Sequence, residues 1–227
     1  MDAVEFVVDG NDSEAVAADI FAAEAQYNIV KLPVNKPGLM ALLQENGYRF
    51  TECMLNLTHD LNESKIKAAK SLSHADVSYA PMKAPDIAEL FSELEKNLFN
   101  TDRIYNDPNF AAGTSALRYK NWLSDELEKG SAVYKLSLND VAIGFFALKK
   151  MENDIFDPFL LGLYNAHKGK GLGRSMAFCA LSECKARGAK LVSTHISSNN
   201  PANIKVYKSL GYNVESVEYV FVKHRRP

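Results

Sequence analysis

The sequence predicts an α/β protein in two parts: a small N-terminal α/β domain over residues 1–73 and a larger α/β domain over residues 74–227. Short apolar runs typical of strands alternate with segments whose apolar residues have helical spacing. A polar segment rich in Ser and Lys at 60–75 interrupts the alternation and is predicted to be a linker. In the second part a glycine-rich stretch, "HKGKGLGRSM" at 167–176, lies between an apolar strand and a helix.

In the first part the apolar runs at 3–9, 27–34 and 48–57 predict three strands. The segment 37–47 predicts a short helix that ends at Gly47. The helix-Gly-strand stretch at 42–57 aligns with 206–221 in the second part, with Gly47 over Gly211 and Tyr48 over Tyr212. The match predicts a degenerate internal repeat, or reflects only a common helix-Gly-strand pattern.

The second part begins with a predicted strand at 76–80 and a helix at 85–99, in which Pro85 occupies an early position. An irregular stretch at 100–110 separates this helix from a second one. Both helices have an apolar face, formed by Ile87, Leu90, Phe91, Leu94 and Leu98 in the first and by Ala116, Tyr119, Leu123 and Leu127 in the second.

Three strands then follow, at 131–138, 141–150 and 155–164. After the glycine-rich stretch the pattern gives a helix at 173–188, a strand at 189–196, a helix at 200–211 and a strand at 212–224. The predicted order of the second part is therefore strand, two helices, three strands, helix, strand, helix, strand.

Composition excludes several classes of protein. A net charge of −2 and a pI near 6.2 argue against a general nucleic-acid binder. The three cysteines, Cys53, Cys179 and Cys184, lack metal-ligand spacing and are expected to be buried, reduced thiols, and no metal is implied. No long apolar run or basic leader is present, so a soluble cytoplasmic protein with no membrane partner is expected.

The glycine-rich stretch is suited to an anion, because a strand-to-helix turn directs free backbone N–H groups and a positive dipole end at its ligand. It has neither the spacing of a phosphate-binding P-loop nor the G-x-G-x-x-G pattern of dinucleotide-binding folds. A glycine-rich turn with solvated lysines is the alternative.

The stretch "KGKGLG", Lys168 to Gly173, resembles the acyl-CoA signature of the GNAT superfamily of N-acetyltransferases, in which Lys168 replaces the usual Gln or Arg. "NPANIKVYKSLGY", from Asn200 to Tyr212, is similar to a second segment of the superfamily, with Asn203 in place of the common Ala. The resemblance covers residues 76 to 222. It implies a GNAT fold preceded by a smaller half-GNAT-like α/β domain that lacks catalytic function.

Within the superfamily the chain is most similar to the TDP-fucosamine acetyltransferases and related sugar-nucleotide N-acetyltransferases. This resemblance rests on the preceding small domain, the stretch "RIYNDPNF" at 103–110 and the ending "GYNVESVEYVFVK". It implies a TDP- or UDP-linked amino sugar as the small-molecule acceptor, and a homodimer is compatible with it.

The resemblance also assigns residues. Tyr207 would give a proton to the departing thiolate, and Asp157 is the candidate general base. Arg103, Tyr105 and Asp107 would line the acceptor cleft, where Arg103 could pair with a phosphate. The residues expected to bind acetyl-CoA are Leu161, Gly162, Leu163, Lys168, Gly169, Lys170, Gly171, Leu172, Gly173, Arg174, Asn200 and Asn203.

Each assignment has a structural alternative. Tyr207 has helical spacing with core residues, and Asn200 could simply cap the helix that begins at Pro201. Asp157 with Pro158 could be a strand break, with solvent water as the base instead. His195 is expected to be a structural or hydrogen-bonded residue, and His167 to be a solvated loop residue.

The resemblance implies transfer of acetyl from acetyl-CoA to a primary amine. Two other functions remain open: acetylation of another small amine or of a peptide N-terminus, and non-catalytic acyl-CoA sensing. Fold alone does not fix the acceptor.

Overall fold

A computed structural model describes residues 2–8, 14–74 and 76–225. The chain divides into two compact units. The first comprises Met1–Asn56, Ile196–Asn199 and Val214–Pro227, and the second comprises Leu57–His195 and Asn200–Asn213. The predicted boundary near residue 73 therefore falls inside the second unit.

The first unit has the strands β1 (Ala3–Val7), β2 (Tyr27–Pro33), the start of β3 (Arg49–His59) and most of β9 (Asn213–His224). Their order is β1-β2-β9-β3, with β1 parallel to β2 and β2 antiparallel to β9. The last strand of the chain is thus a central strand of the N-terminal unit.

Two helices complete the first unit, α1 (Glu14–Ala22) and α2 (Pro37–Glu45). Their apolar residues pack on the strands in one core that contains Ile20, Leu32, Leu39, Leu43 and Phe221. Helix α1 was missed by the sequence analysis, although Ala17 and Ile20 are buried on one side of it. Asp9, the last residue of the first predicted strand, lies outside the described residues.

The second unit begins with the end of β3 and with α3 (Glu63–Ser71), where the sequence analysis predicted a linker at 60–75. That prediction was wrong. The Asn62 side chain accepts a hydrogen bond from the N–H of Ser64 at 2.9 Å and so caps the helix, and Ala69 is buried. A mostly polar helix with one buried alanine has the composition of a linker, which explains the error. Ala75, at the end of the predicted linker, lies outside the described residues.

The remaining elements of the second unit follow the predicted order. They are β4 (Val77–Pro81), α4 (Ala84–Glu95), α5 (Thr114–Glu128), β5 (Ala132–Leu138), β6 (Val141–Lys150), β7 (Ile155–Leu163), α6 (Gly173–Ala186), β8 (Leu191–Ser197) and α7 (Pro201–Ser209). The strands of this unit are ordered β8-β7-β6-β5-β4. Helix α4 ends earlier than predicted, and Asn97, at φ 53°, turns the chain just after it.

One core of the second unit lies where α4 and α5 cover the sheet. It combines Leu90, Leu94, Leu98 and Leu123 with the strand residues Phe145, Ala147 and Leu160. On α6, Cys179 and Cys184 are buried, and burial raises the pKa of both thiols to about 12. Cys53 is only partly buried, so the prediction of a buried thiol was too strong there.

The ends of α2 and α7 have the same hydrogen-bond pattern. Gly47 and Gly211 have φ values of 81° and 85°, and the next residue in each case, Tyr48 or Tyr212, donates its N–H five residues back. The acceptors are the carbonyls of Leu43 and Tyr207. The two halves of the predicted repeat therefore end their helices in the same way, and Leu43 occupies the position that corresponds to Tyr207.

Candidate active site

The glycine-rich loop joins β7 to α6 in the second unit. Gly169 and Gly171 have φ values of 76° and 78°, a backbone region that side-chain-bearing residues rarely adopt. An added Cβ at either position would meet no atom within 4 Å, so conformation rather than space requires glycine here. The loop leads into the N-terminus of the 14-residue helix α6, where unpaired N–H groups and the helix dipole favour an anion.

Lys168 begins the predicted CoA motif, but its side chain turns back onto the fold. The Lys168 ammonium donates to the carbonyl oxygen of Leu98, just after α4. Desolvation lowers the pKa of this lysine. The cation therefore ties the loop to the end of α4, a role that the motif does not reveal.

The strands β7 and β8 form a parallel pair that is very short. The register pairs only Ile155 with Leu191 and Phe156 with Val192 in the described residues. Two residues further along stands Pro158, which has no N–H to donate to a ladder. At this point the Thr194 hydroxyl donates to the Pro158 carbonyl oxygen at 3.1 Å. Beyond Pro158, β7 diverges from β8. One edge of β7 is therefore not paired with any strand in the described residues.

Backbone groups of β7 point to this unpaired edge. Tyr164 donates its N–H to Ile143 at 2.9 Å, and the register pairs Gly162 with Phe145. Because hydrogen-bonded and non-hydrogen-bonded pairs alternate along an antiparallel ladder, the N–H and C=O groups of Leu161 and Leu163 point away from β6. An extended ligand can bind there as an added strand does.

The strands β6 and β7 approach each other closely beside this edge. A Cβ on Gly144 would lie 2.3 Å from the Gly162 oxygen, and one on Gly162 would lie 3.0 Å from the rings of Phe145 and Phe99. Gly162, predicted as a CoA-binding residue, is therefore tightly packed, and a side chain at this position would have to displace the rings of Phe145 and Phe99 by a few tenths of an ångström.

Tyr207 lies in α7 and is 5% exposed. Burial raises the pKa of its phenol, the nearby Asp157 adds to the rise, and a hydrogen bond with Thr194 opposes it. The phenol therefore stays protonated at neutral pH and is available as a donor. Through Thr194 it is placed at the point where β7 and β8 separate.

Asn200 and Asn203 lie at the start of α7. The Asn200 side chain accepts a hydrogen bond from the N–H of Asn203 at 3.1 Å, which is a helix cap. The capping role considered for Asn200 is therefore confirmed. The cap uses the side-chain oxygen of Asn200 and leaves its side-chain amide nitrogen for other contacts.

Asp157 is a buried carboxyl group on β7, 4% exposed. Its Oδ2 lies 3.5 Å from the Nζ of Lys149, and its Oδ1 has no hydrogen-bond partner among the described residues. Burial raises the pKa of Asp157, while Lys149 and then His195 act in the opposite direction. A raised pKa and an unpartnered oxygen are properties of a group that can exchange a proton.

The segment between α4 and α5 is organised by Asp102, which the sequence analysis missed. The Asp102 carboxylate accepts the N–H of Ile104 at 2.9 Å and the hydroxyl of Ser115 at 2.6 Å. Because Asp102 is only 8% exposed, it fixes the segment that carries Arg103, Tyr105 and Asp107.

The three predicted acceptor residues differ in their surroundings. Tyr105 is 47% exposed. The Asp107 carboxylate accepts the backbone N–H of Asn109 at 2.9 Å, so at least one of its oxygens is used within the segment. Arg103 is half-buried. They share one irregular segment, as predicted.

Neither histidine that the sequence analysis weighed is buried. His195 is exposed on β8, where the register places it on the same face of the sheet as Asp157. His167 lies in the short helical turn Asn165–His167 before the loop. No group of three or more potential metal ligands occurs in residues 2–8, 14–74 and 76–225, and none of the helices described there is long and apolar enough to cross a membrane.

A comparison with protein families identifies residues 89–212, more than half of the chain, as a match to the acetyltransferase (GNAT) family. The chain belongs to this family. The predicted superfamily is therefore confirmed. The matched region runs from α4 to the tyrosine after α7, so it contains the glycine loop, the separated strands and Tyr207.

Curated relatives within the GNAT family are distant. The mycothiol acetyltransferase of Corynebacterium glutamicum (strain R) is 27% identical over 95 residues, which cover 42% of this chain and 32% of that protein. That of Streptosporangium roseum is 33% identical over 69 residues, covering 30% of this chain and 20% of that protein. The chain thus spans about a third or less of the length of these relatives.

Solved GNAT structures confirm the fold. A tandem GNAT protein from the clavulanic acid biosynthesis pathway superposes with a TM-score of 0.58 at 15% identity, over 88% of this chain and 65% of that one. This superposition extends well outside residues 89–212. It agrees with the matching ends of α2 and α7, and with a GNAT fold preceded by further α/β structure.

Proposed function

We propose that this chain transfers the acetyl group of acetyl-CoA to a primary amine on a small molecule. Family membership supports acetyl-CoA as the donor. The observation that carries the proposal for this chain is the alignment of three features in one unit: the positive-φ glycine loop, the outward-pointing edge of β7, and the phenol of Tyr207 where β7 leaves β8.

In this proposal the backbone N–H groups of Lys170, Gly171, Gly173 and Arg174 hold the pyrophosphate at the α6 N-terminus. The edge groups of Leu161 and Leu163 pair with the amides of the pantetheine arm. Gly162 lets β7 pack closely, and Gly169, Leu172 and Lys168 shape the loop. Asn200 and Asn203 contact the arm from the start of α7.

The chemistry divides between two side chains. Asp157 accepts the proton that the amine loses as the N–C bond forms, and Tyr207 gives its proton to the sulfur as the C–S bond breaks. A backbone N–H on the open edge of β7 donates to the acetyl oxygen. The ring of Tyr207 packs in the protein interior, and its hydroxyl is the proposed acid. The packing role and the acid role are therefore compatible.

For the acceptor, we propose a class of molecule and no single compound. A TDP- or UDP-linked amino sugar was predicted from resemblance, and Arg103 in the segment fixed by Asp102 offers a cation for its phosphates. The curated relatives are named as mycothiol acetyltransferases, which gives no support to a sugar nucleotide. We therefore propose a small-molecule amine, with sugar nucleotides and amines related to mycothiol as the classes to compare.

The N-terminal unit is proposed to be catalytically inert. Its sequence contains no stretch that matches the motif from Lys168 to Gly173, and Leu43 stands at the position that corresponds to Tyr207. Its role in this proposal is architectural.

The test is an acetyl-transfer assay with a panel of amines. The purified chain is mixed with acetyl-CoA and each candidate: TDP- and UDP-amino sugars, amines related to mycothiol, amino sugars without a nucleotide, other small amines, and peptides with a free N-terminus. Release of CoA thiol and a mass increase of one acetyl group on the amine are the expected results. Binding of acetyl-CoA without turnover on any amine would instead favour the sensor hypothesis.

A further inference from the structure

A shift in strand register places Lys149 opposite Asp157. Along β6 and β7 the partners run from Gly144–Leu163 to Ala147–Leu160, and the register then shifts before Lys149 pairs with Asp157. The extra residue on β7 is a β-bulge, which re-aims side chains locally. The result is the 3.5 Å separation between the Lys149 Nζ and the Asp157 Oδ2.

The Lys149 side chain is also held from the other side. Its Nζ lies 5.4 Å from the centroid of the Phe159 ring, and 30% of the side chain is exposed. A cation over an aromatic face is attracted to it, and the aliphatic stem can lie along apolar surface. Phe159 in turn lies 5.3 Å from Trp122 of α5, so the cation rests on a packed aromatic pair.

A general base must be ionised to accept a proton, and burial opposes the ionisation of Asp157. The cation of Lys149 favours the ionised form. The Asp157 side chain is 5% exposed, and a buried carboxyl group without a cation keeps its proton at neutral pH. The titratable groups that interact with it are Lys149 from β6, His195 from β8, Glu126 from α5, Tyr207 from α7, Cys184 from α6 and Tyr212 just after α7. Within 4 Å, Lys149 is the cation paired with it in the described part of the chain.

We propose that Lys149 is a positioning residue that keeps Asp157 ionised, so that its unpartnered oxygen can take the proton of the acceptor amine. This inference rests on the proposed function, in which Asp157 is the base. Lys149 touches no reacting atom and keeps its charge throughout. The proton moves from the amine nitrogen to Asp157 and then to solvent.

The chain offers a matched control one residue away. Lys150 also lies beside an aromatic ring, 6.0 Å from the Phe156 centroid, and pairs with a carboxylate, Asp154, at 3.1 Å. Asp154, however, is 40% exposed. Neutralising Lys150 removes the same charge from the same strand without affecting a buried base.

The experiment measures the pKa of Asp157 directly, by carboxyl ¹³C NMR on the full chain, with Asp157→Asn used to assign its resonance. In Lys149→Met the pKa of Asp157 should rise by about one to three pH units, because an opposite charge at this distance has been removed. Lys149→Arg should restore the parental value, and Lys150→Met should leave it unchanged. Lys149→Gln provides a second neutral variant if the methionine variant does not fold.

The second measurement is the pH dependence of kcat on an accepted amine. The acidic limb should move to higher pH in Lys149→Met by the same interval, with about a tenfold loss of rate per pH unit below it. Asp157→Asn should lose the limb. A pKa of Asp157 that does not change in either neutral variant would overturn the inference.

The two possible failures are distinguishable. If Asp157→Asn keeps the parental limb, the base assignment and this inference both fail, while acetyl transfer itself stands. If the parent acetylates no amine, the proposed function fails. The NMR comparison then decides by itself whether Lys149 controls the ionisation of Asp157.

Discussion

The rings of Tyr207 and Tyr212 meet edge to face, with centroids 4.9 Å apart and planes at 89°. Both tyrosines are buried, and burial raises the pKa of each phenol. They differ in their polar contacts, because Thr194 forms a hydrogen bond with Tyr207. Removing the hydroxyl of Tyr207 can therefore be compared with removing the hydroxyl of Tyr212, a neighbouring ring in the same packing environment.

Tyr207→Phe should lower kcat by roughly 10²–10⁴-fold, the usual contribution of a general acid. Acetyl-CoA affinity and folding should change little, because the ring is kept. Tyr212→Phe is the control and should turn over near the parental rate. Single-turnover acetyl transfer checks both variants, and undiminished transfer by Tyr207→Phe would remove this residue from the mechanism.

Gly171→Val should weaken acetyl-CoA binding at least about tenfold, because the loop can no longer present its N–H groups to a charged ligand. The matched control is Gly130→Val. Gly130 has a φ of 90° and, like Gly171, has no atom within 4 Å of an added Cβ, but it lies at the end of α5. Calorimetry on the two folded variants should show weak binding for the first and parental affinity for the second.

Gly144→Ala should lower the free energy of unfolding by about 1–3 kcal/mol, the usual cost of overpacking. Its Cβ would lie 2.3 Å from the backbone oxygen of Gly162, which cannot move without disturbing β7. Gly38→Ala in α2 meets nothing within 4 Å and should be neutral or slightly stabilising. Urea unfolding measures both, and equal midpoints would contradict the close approach of β6 and β7.

The stability contribution of Asp157 should decrease as pH rises. Its pKa in the folded chain is above the unfolded value of about 3.9, so the folded state binds more protons between these two values and loses stability across them. Asp157→Asn should flatten that decrease. The pKa of Asp154 is lowered, first by Lys190 and then by Lys150, so its contribution is instead lost as pH falls below about 3.9. Urea unfolding as a function of pH should therefore show opposite signs for Asp157→Asn and Asp154→Asn.

A fragment that ends at residue 73 should not fold. In the N-terminal unit β9 lies between β2 and β3, so the fragment loses its central strand and the buried Phe221. Circular dichroism during urea titration should show no cooperative transition, whereas the full chain should show one. A cooperative transition in the fragment would contradict this strand order.

The predicted elements of the second unit and their order are confirmed because their signals are local. Apolar spacing, Pro85 and the glycines after α6 and α7 act within a few residues, and the structure places the helices there. The GNAT motifs were found in the same way. The loop needs positive φ at positions 169 and 171, and the glycines at these positions indicate this directly in the sequence.

Two elements were not found, and for related reasons. Helix α3 is mostly polar, and its helical signal is the cap at Asn62 and one buried alanine. Helix α1 is short and lies between two strands with stronger apolar patterns. Weak amphipathic signals of this length are decided by packing rather than by local preference.

The sequence by itself determined the order of strands and helices from β4 onwards, the glycine loop, and the family to which the chain belongs, because each depends on spacing along the chain. Tertiary structure alone decided which distant residues meet: β9 in the middle of the N-terminal unit, Thr194 beside Pro158 and Tyr207, and Lys149 opposite Asp157. The physical reason is that strand order and register are set by the burial of whole faces, and one bulge changes which side chains face each other.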